Sequence, residues 1–174
     1  MRKTQLRRSV LLAPFVWAYT ARAQPAIIPP GLAAPAGQLL AALIRTGRDA
    51  AIAAGVRPAP FEVHRALLGF FPDTLLRKVR HAVGNAGTLG VPGLAWSVSD
   101  IEAVTLGDVI LFRDARDAAG NAELWAHELT HVVQYERWGI DGFAARYAED
   151  HQAVEQEARD NTERFAKWRK DIRT

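Results

Sequence analysis

Apolar residues recur at helical spacing from Gly37 to Ala54. Leu39, Leu40, Leu43, Ile44, Ala51 and Ile52 can share one stripe, and Gly55 is placed to end the helix. Pro58 and Pro60 then interrupt the chain, and Val63, Leu67 and Phe70 or Phe71 predict a second helix over Phe61–Phe70. Pro72 suits a first helical turn, so Asp73–Leu76 reads as a brief helix. Beyond it the period falls to two: Val79, His81 and Val83 alternate with Arg80 and Ala82, which predicts a short strand. Gly84 to Gly93 is rich in Gly and Asn and reads as a loop. The clearest β pattern is Ala103-Val-Thr-Leu106, then Gly107-Asp108, then Val109-Ile-Leu-Phe112, two β-rich runs joined by a tight-turn dipeptide. Arg113 to Asn121 is polar. Asn121 can cap a helix predicted over Ala122–Arg137, which Gly139 ends. A last helical region spans Phe143–Lys170, with Val154, Ala158, Phe165 and Trp168 on one stripe and charges on most of the other face. N-terminal helices, a short antiparallel sheet ending in a hairpin, and two further helices make an α+β domain over residues 37–174.

Charge changes the picture at the N-terminus. The 174-residue chain carries a formal +3, which invites a nucleic-acid reading. Five basic residues (Arg2, Lys3, Arg7, Arg8, Arg22) and no acidic one precede Gln24. Without them 17 basic residues face 19 acidic ones, a net of −2. The same segment has a basic start, an apolar run from Val10 to Tyr19, and Ala21-Arg22-Ala23, the three parts of an export signal cleaved after Ala23. Pro14 inside the apolar run argues against a retained helix of the fold. Arg7-Arg8 also resembles a twin-arginine signal, so general secretory and twin-arginine export both remain open. The expected location is the periplasm or the exterior, with membrane attachment only through an uncleaved signal. Gln24–Pro35 is rich in Pro and Ala and reads as an extended linker, taken as residues 24–36. The basic cluster Arg77, Lys78, Arg80 then reads as a solvated face, and no nucleic-acid partner is expected. Trp96, Trp125, Trp138 and Trp168 read as packing aromatics.

The chain has no cysteine, so any metal must be held by His, Asp or Glu. The helix after the hairpin contains Trp125-Ala-His127-Glu128-Leu-Thr-His131-Val-Val-Gln134. Histidines four residues apart lie one helical turn from each other, so both imidazoles can reach one ion, and the Glu after the first can address a water there. With five His in 174 residues, a chance H-E-x-x-H is expected in fewer than about one such chain in a hundred. A catalytic zinc takes three protein ligands and keeps one position open. Downstream, His151, Glu155 and Glu157 are the candidates for the third.

The residues Ala126-His-Glu-Leu-Thr-His-Val-Val-Gln-Tyr135, Gly139-Ile-Asp-Gly-Phe143 and Glu155-x-Glu-Ala158, with Val104–Arg113 before them, resemble a bacterial zincin-like metallopeptidase domain linked to extracellular contractile injection systems. The resemblance covers roughly Phe70 to Asn161 and implies a small zincin-like fold with Zn2+ on His127, His131 and a third ligand. Related glutamate-zincins place that ligand at the first Glu of an E-x-x-A-D pattern. Carried over, this selects Glu155, with Glu157 as the alternative. Arg159 stands where the pattern has Asp, which removes a carboxylate that orients a ligand histidine. The implied activity is hydrolysis of a peptide or protein substrate, with Glu128 as general base. Tyr147, His151, Arg146 and Arg159 are candidates to stabilise the oxyanion. The strand Val109–Phe112 is a candidate edge for an extended peptide. A different class of function fits the same residues: a non-catalytic, zinc-stabilised peptide-binding or envelope interaction module.

Overall fold

The computed structural model describes residues 33–84 and 101–172. The export segment, the linker up to residue 32, the Gly/Asn-rich loop beyond Gly84, and Trp96 lie outside the described residues. The described chain is α+β: α1 (Ala33–Ala54), β1 (Arg57–Pro58), α2 (Phe61–Leu67), α3 (Asp73–Lys78), β2 (Arg80–Val83), β3 (Ala103–Leu106), β4 (Val109–Phe112), α4 (Ala115–Gly120) and α5 (Ala122–Asp171). No helix among the described residues is long and apolar enough to cross a membrane.

The hairpin falls where the sequence places it, with Leu106 opposite Val109 and Gly107 taking the positive φ of the two-residue turn. Asp108 in that turn accepts from Arg48 Nε at 2.6 Å, tying the hairpin to α1. The sheet is mixed rather than antiparallel. Its order is β1-β2-β4-β3, with β2 and β4 parallel and the other two pairs antiparallel. The hairpin therefore inserts β4 between β2 and β3, and the edge strand is Ala103–Leu106, not Val109–Phe112. The physical reason is burial. Val109, Ile110, Leu111 and Phe112 are all buried, so β4 needs cover on both faces, which its central place between the two cores supplies.

Each face of β4 belongs to its own core. Ile110 and Phe112 pack with Val63, Leu67, Leu76, Val79, Trp125, Leu129 and Phe165, uniting α2, α3 and the two ends of α5. Val109 and Leu111 pack with Ala41, Ile44, Ala51, Tyr135, Phe143 and Val154, uniting α1 with the middle of α5. The polar stretch after β4 is partly helical: Asp114 caps α4, and Ala118 O accepts from the buried Trp125 Nε1 at 3.0 Å.

The α1 stripe differs from expectation. Helix α1 starts at Ala33, with Pro35 tolerated in the first turn, and Leu39 and Ile52 are exposed. The face that packs carries Ala41, Ile44 and Ala51. Gly37 completes it: a Cβ there would lie 3.1 Å from Ala145 Cα, so α1 approaches α5 at backbone distance. Small residues, rather than leucines, set this contact.

Helix α5 is one run in name only. Asn121 Oδ1 accepts from Leu124 N at 3.1 Å and caps its start, as the sequence predicts. Gly139 (φ 68°, ψ 173°) breaks it at the expected place, and Asp150 (φ −149°, ψ 79°) breaks it again. Three helical segments result, over 122–138, 140–149 and 151–171. Asp150 Oδ1 accepts from Ala153 N at 3.0 Å, so it caps the last segment.

Gly37→Leu should lower the melting temperature through about 1–3 kcal/mol of overpacking. Leu39→Ala, at a side chain 64% exposed, should change stability by less than about 0.5 kcal/mol. Chemical denaturation of the two variants checks the contrast; equal losses would contradict the close approach at Gly37.

Candidate metal centre

The first segment of α5 lays its apolar face, Trp125, Ala126, Leu129 and Val132, on the sheet. Helical periodicity then carries His127 and His131 together off one side of the same segment, with ring centroids 4.9 Å apart. The breaks at Gly139 and Asp150 return the last segment across the first. Two buried polar ties hold it. Gln134 Nε2 donates to Val154 O at 3.0 Å, and Asn161 Nδ2 donates to Thr130 Oγ1 at 2.7 Å. Because 134 meets 154 and 130 meets 161, the two segments run antiparallel.

This return brings Glu155 to the histidines. His131 Nε2 and His127 Nε2 are 3.2 Å apart; Glu155 Oε2 lies 3.2 Å from the latter, and Glu155 Oε1 lies 3.5 Å from the former. A tetrahedral ion with bonds of about 2.0–2.1 Å spaces its donors about 3.3 Å apart, a separation close to that of the two nitrogens and of each nitrogen from its nearer Glu155 oxygen. His127, His131 and Glu155 are thus close enough to bind one metal ion. Two imidazole nitrogens and a carboxylate oxygen are a donor set suited to a borderline divalent cation.

Charge at the site follows from this convergence. Burial works against charging His131, but the hydrogen bond and negative charge of Glu155, with Glu128 and Gln134 assisting, raise it to about 9. Burial would raise Glu155, yet its hydrogen bonds to His127 and His131 and their charge hold it well below the usual carboxylate range. The three side chains together thus favour a positive charge among them.

The other candidates separate clearly. Glu157 accepts from Gln134 Nε2 at 3.0 Å and pairs with Arg137 at 3.0 Å, so it braces the return segment from outside. Glu128 is buried, and Thr105 Oγ1 on the edge strand lies 2.6 Å from its Oε2. Tyr147 Oη donates to Glu155 Oε1 at 3.1 Å, and the His151 ring lies 6.0 Å from the Tyr147 ring. Arg146 sits over Trp138, and Arg159 bonds to Gln156 and the Gln152 carbonyl; neither guanidinium is engaged with the three ligands. Of the oxyanion candidates, Tyr147 is the one in hydrogen-bond contact with a ligand.

Two residues with work at the site were not singled out from sequence. Thr105 positions the Glu128 carboxylate, and its inward alternation in β3 was the available signal. Gln134 Oε1 lies 2.8 Å from His131 Nδ1, so a neutral amide orients that ring. Its signal was the i, i+3 spacing from His131.

Fold and site together define an α+β protein with a two-histidine, one-glutamate candidate metal centre. A family model for the eCIS core domain matches residues 95–139, which takes in the hairpin, α4 and the segment bearing His127, Glu128 and His131. Over that stretch the chain is similar to a domain linked to extracellular contractile injection systems; Glu155 lies outside the match. No curated protein and no solved structure matches the chain significantly.

The pairing has a pH signature in metal-free protein. His131 rises from an ordinary 6.5 to about 9, so its contribution to stability is full below about pH 6.5 and is lost as pH climbs through about 9. Glu155 is lowered from an ordinary 4.5, so its contribution is full above that value and lost as pH falls towards its folded value. In chelator the melting temperature should therefore decline between about pH 6.5 and 9, and His131→Asn should flatten that decline. Identical slopes for the two proteins would refute the pairing.

Proposed function

We propose that this chain is an exported zinc-dependent metallopeptidase acting on a peptide or protein substrate outside the cytoplasm. The observation that carries the reading is the convergence of His127, His131 and Glu155 beside Glu128, the set that metal-assisted hydrolysis uses. The N-terminal signal residues support export, and the similarity over residues 95–139 supports work in association with contractile injection systems.

His127 and His131 would hold the ion through Nε2, and Glu155 through a carboxylate oxygen. A bound zinc supplies Lewis acidity and makes water nucleophilic near neutral pH. Glu128 takes the proton of the attacking water and returns it to the leaving amine. Thr105 holds one oxygen of that carboxylate, which leaves the other for the proton. Tyr147 provides a hydroxyl beside the ligands for the developing oxyanion. An extended substrate pairs with β3, the edge strand from which Thr105 reaches Glu128.

One observation favours a second reading, a zinc-stabilised module that binds a peptide without cleaving it. Glu128 is only 4% exposed and already hydrogen-bonded to Thr105, an environment that suits a structural carboxylate.

Purified protein should hold about one zinc per chain, and His131→Ala should lose it. Glu128→Gln should keep the zinc and lower peptide hydrolysis by at least about 100-fold. Absence of stoichiometric metal would remove both readings, and zinc without cleavage of a diverse peptide library would select the binding module.

A further inference from the structure

Gln134 is fully buried, and its side-chain amide meets groups from two segments of α5. Its Nε2 lies 3.0 Å from Val154 O and 3.0 Å from Glu157 Oε2. A carbonyl and a carboxylate oxygen only accept, so both hydrogens of Nε2 are used and the orientation of the amide is settled. Oε1 is then the atom 2.8 Å from His131 Nδ1. An amide oxygen also only accepts, so Nδ1 carries the hydrogen. In neutral imidazole the lone pair falls on the other nitrogen, Nε2, the atom turned towards His127 and Glu155.

We propose that Gln134 is the positioning residue of the metal centre: one amide holds His131 in the Nδ1–H tautomer and seats the segment that carries Glu155, presetting two of the three ligands. The inference rests on the metal-binding reading of His127, His131 and Glu155. The two duties require an amide. Glutamate could accept from Nδ1, but it could not donate to Val154 O and would repel Glu157. Asparagine is one methylene short of spanning from the first segment to the last. Leucine has similar bulk and neither function. A neutral orienter also leaves Glu155 as the one carboxylate that balances a bound ion directly, in contrast to sites where a second carboxylate backs the histidine.

The test is long-range 1H–15N NMR of the His131 ring in the full chain, combined with zinc affinity from competition with a chromogenic chelator. Zinc-loaded wild type should show hydrogen on Nδ1 and metal on Nε2. In chelator, above the pH at which His131 loses its proton, the Nδ1–H form should persist. Gln134→Leu should lose that preference and weaken zinc binding about 10–100-fold. Gln134→Glu should keep the Nδ1–H form yet melt below wild type, which separates the two duties. Metal on Nδ1 in wild type, or wild-type zinc affinity in Gln134→Leu, would overturn the proposal. If Gln134→Leu does not fold, the wild-type ring and the melting of Gln134→Glu decide it: an Nε2–H ring, or undiminished stability, overturns it. A wild-type chain that holds no zinc but keeps the Nδ1–H form in chelator would remove the metal reading while supporting the hold of Gln134 on His131.

Discussion

Two imidazole nitrogens stand 3.2 Å apart in a partly buried corner of the molecule, and each has one oxygen of the Glu155 carboxylate within 3.2–3.5 Å. All three are electron-rich, and such groups repel unless a positive charge lies among them. The raised His131 and the lowered Glu155 are two expressions of that constraint. The surrounding structure keeps the groups together: the return of α5, the breaks that allow it, and the buried amide that ties its ends. In metal-free protein the proton on His131 meets that need, and the three side chains are close enough for a metal ion to meet it instead.

The rest of the molecule supplies stiffness behind that corner. Interior strand β4 separates two cores, one under the first segment of α5 and one under α1 and the middle segment. Trp125, two residues before His127, is fully buried against Phe112 at 4.8 Å between ring centroids, so the segment bearing the histidines cannot roll on the sheet without breaking that contact. On the far side Tyr135 stacks on Phe143 at 3.9 Å, and Phe143 on Tyr147 at 5.6 Å, a column that leads from the first segment to the hydroxyl at Glu155. Position at the site is thus inherited from packing on both sides of it.

The legibility of the fold was uneven for physical reasons. Local signals read well: the Gly107-Asp108 turn, the Asn121 cap and the Gly139 break each depend on a few neighbouring residues, and each occurs where expected. Partner choice read poorly. Alternation marks a strand but does not name its neighbour, so the parallel pairing of β2 with β4 went unseen, although the unbroken apolar run of β4 was a clue to an interior place. On α1, hydrophobicity pointed to Leu39 and Ile52, whereas contact with α5 selected Gly37 and Ala41, because close approach rewards small residues. The break at Asp150 had no proline or glycine to announce it.

The amino-acid sequence by itself determined the chemistry available: no thiolate, two histidines one turn apart, a glutamate between them, and carboxylates further along. Those are properties of residue type and helical period, which need no third dimension beyond one helix. The motif pattern selected Glu155, but helical period left Glu157 equally near the buried face, and tertiary structure turns Glu155 inward because the cap at Asp150 restarts the helix and sets its phase. It also decided that Glu157 braces and that Gln134 orients. Those choices depend on where a second segment crosses the first, and a crossing is fixed by the packing of Val154, Ala158 and Phe165 against distant parts of the chain.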